Sequence, residues 1–277
     1  VSAVFLTTQT SATDSILRVI CKISGEDFLQ AKYIDKYLQN KPMKELLNEE
    51  LPYNGGLHRF NLPPFFPVSK IKKNHRFIIN YRDPRDYLCN VYQWEFVHPN
   101  PSLTAEQLEE RRRKVKSLGI DQFVLERADT NYFKPLLDAL DVIDPNKLLV
   151  NTYAKLCLNF DGFIASLSKF LDVELTDSIL SELENERVTK LNTNPNWIGN
   201  KWAGSDIIPG RYKNELKPQT IKILNDKFKN QLHNILNGRV TKSVFSYIKT
   251  EFFKIESKTV CYIECNKSDV PLFVDYE

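Results

Sequence analysis

Three short apolar runs, each leading into a segment of helical spacing, constrain this chain more than any other feature. Val4-Phe5-Leu6 precedes a small polar stretch, Thr7 to Thr13, after which Ile16, Leu17, Val19, Ile20 and Ile23 recur with a helical period. Phe77-Ile78-Ile79-Asn80-Tyr81 reads as a second buried strand. It runs through Arg82-Asp83-Pro84-Arg85-Asp86 into a helix over Tyr87 to Tyr92, with Asp83 or Pro84 stopping the strand and starting the helix. Leu148 to Tyr153 reads as a third strand, and Phe160 to Leu171 as the helix after it. Apolar strands that alternate with helices call for a parallel sheet covered on both faces. The expected fold is therefore α/β: three layers, a central parallel sheet with helices on either side.

Further elements fill the gaps. Thr104 with Gln107 forms a capping-box pattern that opens a helix, and Gly119 is expected to end it. The run Arg111-Arg112-Arg113-Lys114 inside that helix reads as a solvated face. Pro218 to Leu236 reads as one amphipathic helix with Ile221, Leu224, Phe228, Leu232 and Ile235 on a single stripe. Phe252 to Ile255 and Val260 to Ile263 flank a polar turn, the pattern of a β-hairpin. These readings give one domain over 1–238 and a C-terminal extension over 239–277, packed on that domain.

Composition narrows the class. At 277 residues, with 42% hydrophobic and 26% charged, the chain has enough core for a globular fold without disulfides or metals. Lys plus Arg exceeds Asp plus Glu by 38 − 35 = 3, which tolerates a small polyanion but does not mark a nucleic-acid binder. No apolar run approaches the ~20 residues of a membrane span, and no signal peptide is evident. Five cysteines without zinc-type pairing read as reduced thiols, so a cytoplasmic location and no metal are expected. The chain begins at Val1, which leaves room for a leader outside it.

Two segments carry the first hints of chemistry. A strand that feeds a helix through small polar residues presents backbone N–H groups to an anion, with hydroxyls at Thr10, Ser11 and Thr13. Neither Gly nor Lys lies between Thr7 and Ser15, so Walker-type nucleotide chemistry is excluded. Arg82 sits at the C-terminal end of a strand, where α/β folds take their ligands, and its planar charged fork suits phosphate. Asn90 follows two helical turns later. From these residues alone, phosphate recognition and a salt-bridged strand end remain equally open.

With these segments in view, the chain resembles the sulfotransferases that use 3′-phosphoadenosine 5′-phosphosulfate (PAPS). Arg82-Asp83-Pro84-Arg85-Asp86 resembles that family's R-[ND]-P-[KR]-D run, whose first Arg holds the 3′-phosphate with help from a Ser eight residues on; Asn90 stands there. Gln9, Thr10, Ser11, Ala12, Thr13 and Asp14 occupy the places of the family's 5′-phosphosulfate loop, with Gln9 where a basic residue normally steadies the departing oxygen. Tyr153 matches a Tyr near the adenine, and Phe170-Leu171-Asp172-Val173 resembles an F-L-G-V segment. Gly210, Arg211, Tyr212, Lys213 and Asn214 are similar to a G-x-W-[KR]-N loop around the nucleotide phosphates. The resemblance implies a P-loop-NTPase-like sulfotransferase fold, PAPS as donor and 3′-phosphoadenosine 5′-phosphate (PAP) as product.

It also implies a base. The family carries a catalytic His at a strand end before the 3′-phosphate motif, and His58 lies 82 − 58 = 24 residues before Arg82. Neutral His58 is expected to take the proton of an acceptor hydroxyl or amine. Tyr53, Phe65 and Trp94 are the expected pocket for a small hydroxylated acceptor; plain core packing is the competing reading of these aromatics. The expected activity is sulfuryl transfer to that acceptor. A sulfotransferase-like binding or scaffold protein whose donor loop has lapsed is the alternative.

Overall fold

A computed structural model of the chain describes residues 3–8, 11–26, 57–61, 76–97, 100, 102–190 and 209–236. Gln9, Thr10, Tyr53, Phe65 and the hairpin expected near residue 255 lie outside the described residues.

Four parallel strands form the sheet in the order β2-β1-β3-β4, where β1 is Ala3–Thr7, β2 Leu57–Asn61, β3 Arg76–Tyr81 and β4 Leu148–Thr152. The three apolar runs become β1, β3 and β4. β2 is the addition, paired in parallel to β1 from Ala3↔Leu57 to Thr7↔Asn61.

Alternation along each strand builds two separate cores. Val4, Leu6, Phe77, Ile79, Leu148 and Val150 face one side. There they meet α2 (Pro84–Val97), α3 (Ala105–Arg127), α4 (Lys134–Val142) and the C-terminal helices. Ala3, Phe5, Ile78 and Leu149 face the other. That side is covered by α1 (Thr13–Ser24), α5 (Tyr153–Leu158), α6 (Phe160–Leu171) and α7 (Asp177–Leu183). A sheet apolar on both faces has to be covered on both, which gives the expected three layers.

Helix boundaries follow local chemistry. Thr104 and Gln107 form the full reciprocal capping box at the start of α3. Gly119, non-helical at φ 76° and ψ 163°, ends the first helical stretch of α3 as expected, and a second stretch continues across the kink to Arg127. Asp172 closes α6 with φ 60°, at the place where the resembling family segment has Gly. The single helix expected over 218–236 is two: α9 (Pro218–Lys227) and α10 (Lys229–Leu236), with Phe228 between them fully buried. Phe228 packs edge-on to Phe133 at 5.6 Å, and Phe133 also meets Tyr81, Tyr87 and Tyr132 edge-on. Burial of that ring fixes where the helix turns.

On the other face, Arg18 of α1 is tied to Glu186. Its Nε donates to both carboxylate oxygens, at 3.0 and 3.1 Å, with Lys22 Nζ 3.3 Å from Oε1. Both Arg18 and Glu186 are buried. The helix that follows the first polar loop is therefore anchored from behind by charge as well as by its apolar face.

Candidate functional site

The C-terminal ends of β1 and β3 and the start of β4's helix meet at one edge of the sheet, the edge at which parallel α/β folds bind ligands. At β1, the chain leaves Thr7 and Thr8 and enters α1 through Ser11 and Ala12. Ala12 is left-handed, with φ 58°, and no side chain caps α1. Among the described residues, the loop's hydroxyls make internal contacts. Thr8 and Ser11 hydroxyls lie 2.8 Å apart, and Thr13 Oγ1 donates to the Thr8 carbonyl at 3.2 Å. Asn80 of β3 donates to the Ser11 carbonyl at 2.7 Å. The hydroxyls of Ser11 and Thr13, expected as anion donors, also shape the turn. The uncapped N–H groups of α1 remain as the anion-facing feature, with Asp14 in the first turn opposing a negative ligand.

At the end of β3, each residue of the Arg82–Asp86 run has a separate task. Arg82 is buried, and its guanidinium carbon stands 4.3 Å from the centre of the Tyr153 ring. Tyr153 is the first residue of α5, and burial raises its hydroxyl pKa well above the ordinary value. Asp83 accepts from the Arg85 backbone N–H at 2.9 Å and from its side chain, which fixes the first turn of α2. Pro84, with its preset φ, begins α2. Arg85 reaches Asn225 at 2.6 Å and lies over the Tyr212 ring at 4.0 Å. Asp86 spans to the C-terminal loop, accepting from Gly210 N–H on Oδ2 at 2.7 Å and from Tyr212 N–H on Oδ1 at 3.2 Å. Burial, then the Asp83 charge, push the Asp86 carboxyl up to about 6.

The sequence-predicted residues thus converge in part. Arg82, Tyr153, Gly210 and Tyr212 come together around Asp86. Asn90 lies one turn beyond Asp86 on the same face of α2 and is buried; Trp94, half-buried, lies one turn beyond that. Gly210 has φ 91°, a conformation a side chain would strain. Lys213 is exposed on α8 (Tyr212–Glu215).

Arg211, expected to add a cation to the 210–214 loop, is 1% exposed. Its Nε donates to Glu215 Oε1 at 2.7 Å and its Nη2 lies 2.6 Å from the same oxygen, although neither terminal nitrogen completes a well-aligned hydrogen bond. An Arg and a Glu four residues apart were the available signal. Asp86, Asp83 and Asn80 were also missed as site builders. The sign for Asn80 was a polar residue in an apolar strand, level with Asn151 of β4.

His58 is the second residue of β2, level with Val4. The residue at the edge, level with Thr7, is Asn61. Among the described residues no group of three or more His, Cys, Asp or Glu side chains is arranged to hold a metal, and no helix is long and apolar enough to cross a membrane.

The family model for the sulfotransferase domain matches residues 57–236, which include the Arg82 run, Tyr153 and the 210–214 loop. The chain belongs to the sulfotransferase family. Similar solved sulfotransferase-fold structures share little sequence with it. A mouse sulfotransferase complexed with PAP superposes with a TM-score of 0.56 at 15% identity, over 89% of this chain and 88% of that one. Retinol dehydratase with androsterone and the inactive cofactor PAP gives 0.53 at 15%, over 86% and 82%. Retinol dehydratase with retinol and PAP gives 0.54 at 16%, over the same shares. No curated protein matches the sequence. At such identities the superpositions speak for the fold, and they agree with the α/β sulfotransferase architecture.

Proposed function

We propose that this sulfotransferase-family chain binds PAPS and moves its sulfuryl group to a hydroxyl or amine of a small ring-bearing acceptor. The observation that carries the reading is the edge cluster itself. Arg82, oriented on Tyr153 at 4.3 Å, stands beside the Asp86 carboxylate that holds Gly210 and Tyr212. Arg82, with Asn90 on the adjoining helix face, would hold the 3′-phosphate. Lys213 would add a second cation, and the uncapped start of α1 would face the 5′ end. PAPS, when bound, supplies the activated sulfuryl group. The protein's share is to orient it, screen its charge and take the acceptor's proton. Retinol and androsterone, the molecules seen with retinol dehydratase, set the acceptor class to test first. The reading keeps a single domain over 1–238 and treats 239–277 as an appended hairpin.

His58 is the assigned base, and its register sets a condition. It lies three residues before the β2 edge, about 10 Å along a strand. An acceptor would have to reach back along β2 to meet it. Asn61, at the edge, carries a neutral amide that cannot serve as a base. That placement favours a second reading, a nucleotide-binding member of the family without transfer.

Titration with PAP separates these readings. A ligand present at 100 times its Kd adds about 2.7 kcal/mol of stability, read as a rise in melting temperature. Binding with turnover of a hydroxylated panel supports transfer; binding without turnover supports the second reading; no rise at millimolar PAP removes both. His58→Ala is expected to keep the rise and abolish turnover. Full turnover by that variant would remove His58 from the mechanism.

A further inference from the structure

We infer that Asp86 is a positioning residue, a two-pronged clamp that sets the 210–213 loop against the Arg82 strand end and so completes the nucleotide site. The inference rests on the PAPS-binding reading and adds a residue to it. Asp86 uses one carboxylate oxygen for each contact: Oδ2 takes the Gly210 N–H and Oδ1 the Tyr212 N–H. Only the ionised carboxylate offers two acceptors to two donors. A protonated acid or an amide keeps one acceptor and turns a donor toward the other N–H. Asp86 is 2% exposed, so water does not replace the lost contact. Gly210, left-handed at φ 91°, is the hinge that lets the loop present both N–H groups to one carboxylate. The clamp therefore acts on where Lys213 stands relative to Arg82, without itself touching the ligand.

The surroundings make this clamp sensitive to pH. Asp83 repels the Asp86 charge, and Arg82 stabilises it. Arg85 and Cys89 face it from α2, Tyr212 from α8, and Tyr153 and Cys157 from α5. Arg211 and Glu215 lie beyond Cys89. Burial is the largest influence, and the carboxyl titrates near 6 where an ordinary Asp titrates at 3.8. A carboxyl whose folded pKa is raised makes its ionisation costly to the fold, so stability from this group is greatest at acid pH and is lost as pH rises through about 6. The loop contact runs the other way and needs the ionised form. Stability and loop docking are thus opposed at one residue.

Asp86→Asn in the full chain tests this. At pH 7.5 the variant is expected to melt no lower than the wild type, because a buried charge is gone. Its Gly210 and Tyr212 amides should exchange hydrogen at least tenfold faster, and its PAP affinity should fall about tenfold. Between pH 7.5 and 5 the wild type should lose PAP affinity more steeply than the variant; the ligand's own phosphate titration is common to both. A variant that melts lower and exchanges faster throughout the molecule would show a merely structural role and overturn the inference. Unchanged exchange at 210 and 212, or faster exchange with unchanged PAP affinity, would also overturn it. Wild type that binds no PAP at any pH would instead defeat the PAPS reading, and the positioning role would fall with it.

Discussion

Two corners of the same sheet edge treat anions by opposite means. The β1–α1 turn is assembled from neutral groups: Thr8 with Ser11, Thr13 to the Thr8 carbonyl, Asn80 to the Ser11 carbonyl. Among its described residues the hydroxyls help to hold its own shape, and the uncapped start of α1 offers an anion backbone N–H groups. The β3–α2 corner is built from alternating charges, Arg82, Asp83, Arg85 and Asp86, each tied to an aromatic ring, an amide or a partner charge. The difference teaches that two corners of one sheet edge can offer an anion unequal holds. Among the described residues, the β3–α2 corner has a full cation stacked on a ring, and the β1–α1 corner has the backbone dipoles of a helix start.

The contrast can be broken or sharpened by substitution. The largest effect is expected behind the neutral corner. Glu186→Ala leaves Arg18 buried without its partner and should cost about 3–5 kcal/mol, read by chemical denaturation. A loss below about 1 kcal/mol would mean that α1 is held by its apolar face alone. Next comes Arg82→Ala at the charged corner. Loss of a charge-assisted phosphate contact worth about 1.5–3 kcal/mol should weaken PAP on the order of 100-fold by calorimetry. Equal affinity in that variant would dissolve the distinction between the corners. Smallest is Asp14→Asn, which removes the negative charge from the first turn of α1. It should tighten PAP by a few-fold, in line with about 0.3–1 kcal/mol for a charge at a helix end. If Asp14→Asn changed affinity more than Arg82→Ala, the assignment of strong and weak corners would have to be reversed.

Much of this architecture was legible beforehand, for definable reasons. β1, β3 and β4 are apolar on both faces, and buried parallel strands read that way in any context. The α3 start was legible because a capping box is a local, reciprocal pattern. β2 was not, since Leu57-His58-Arg59-Phe60-Asn61 mixes polar and apolar residues and derives its strand character from pairing with β1. The break at Phe228 depends on Phe133, about a hundred residues away, and no periodicity within 218–236 reports it. At the site, Arg82 and Tyr153 were legible from the family pattern, whereas the burial of Arg211 was not. A guanidinium in a loop looks exposed until Glu215 and the buried wall of Cys89 are placed beside it. The role of Asp86 is set by what lies across the fold, so the sequence named it without saying what it holds.

The rings beneath Arg82 and Arg85 carry one last consequence. A long, flexible side chain usually surrenders its rotational freedom at the moment it captures a phosphate. Here Tyr153 and Tyr212 have already taken that freedom away. Phosphate capture by Arg82 should therefore be light in entropic penalty, and trimming Tyr153 to a smaller residue should show itself in calorimetry as a less favourable entropy of association.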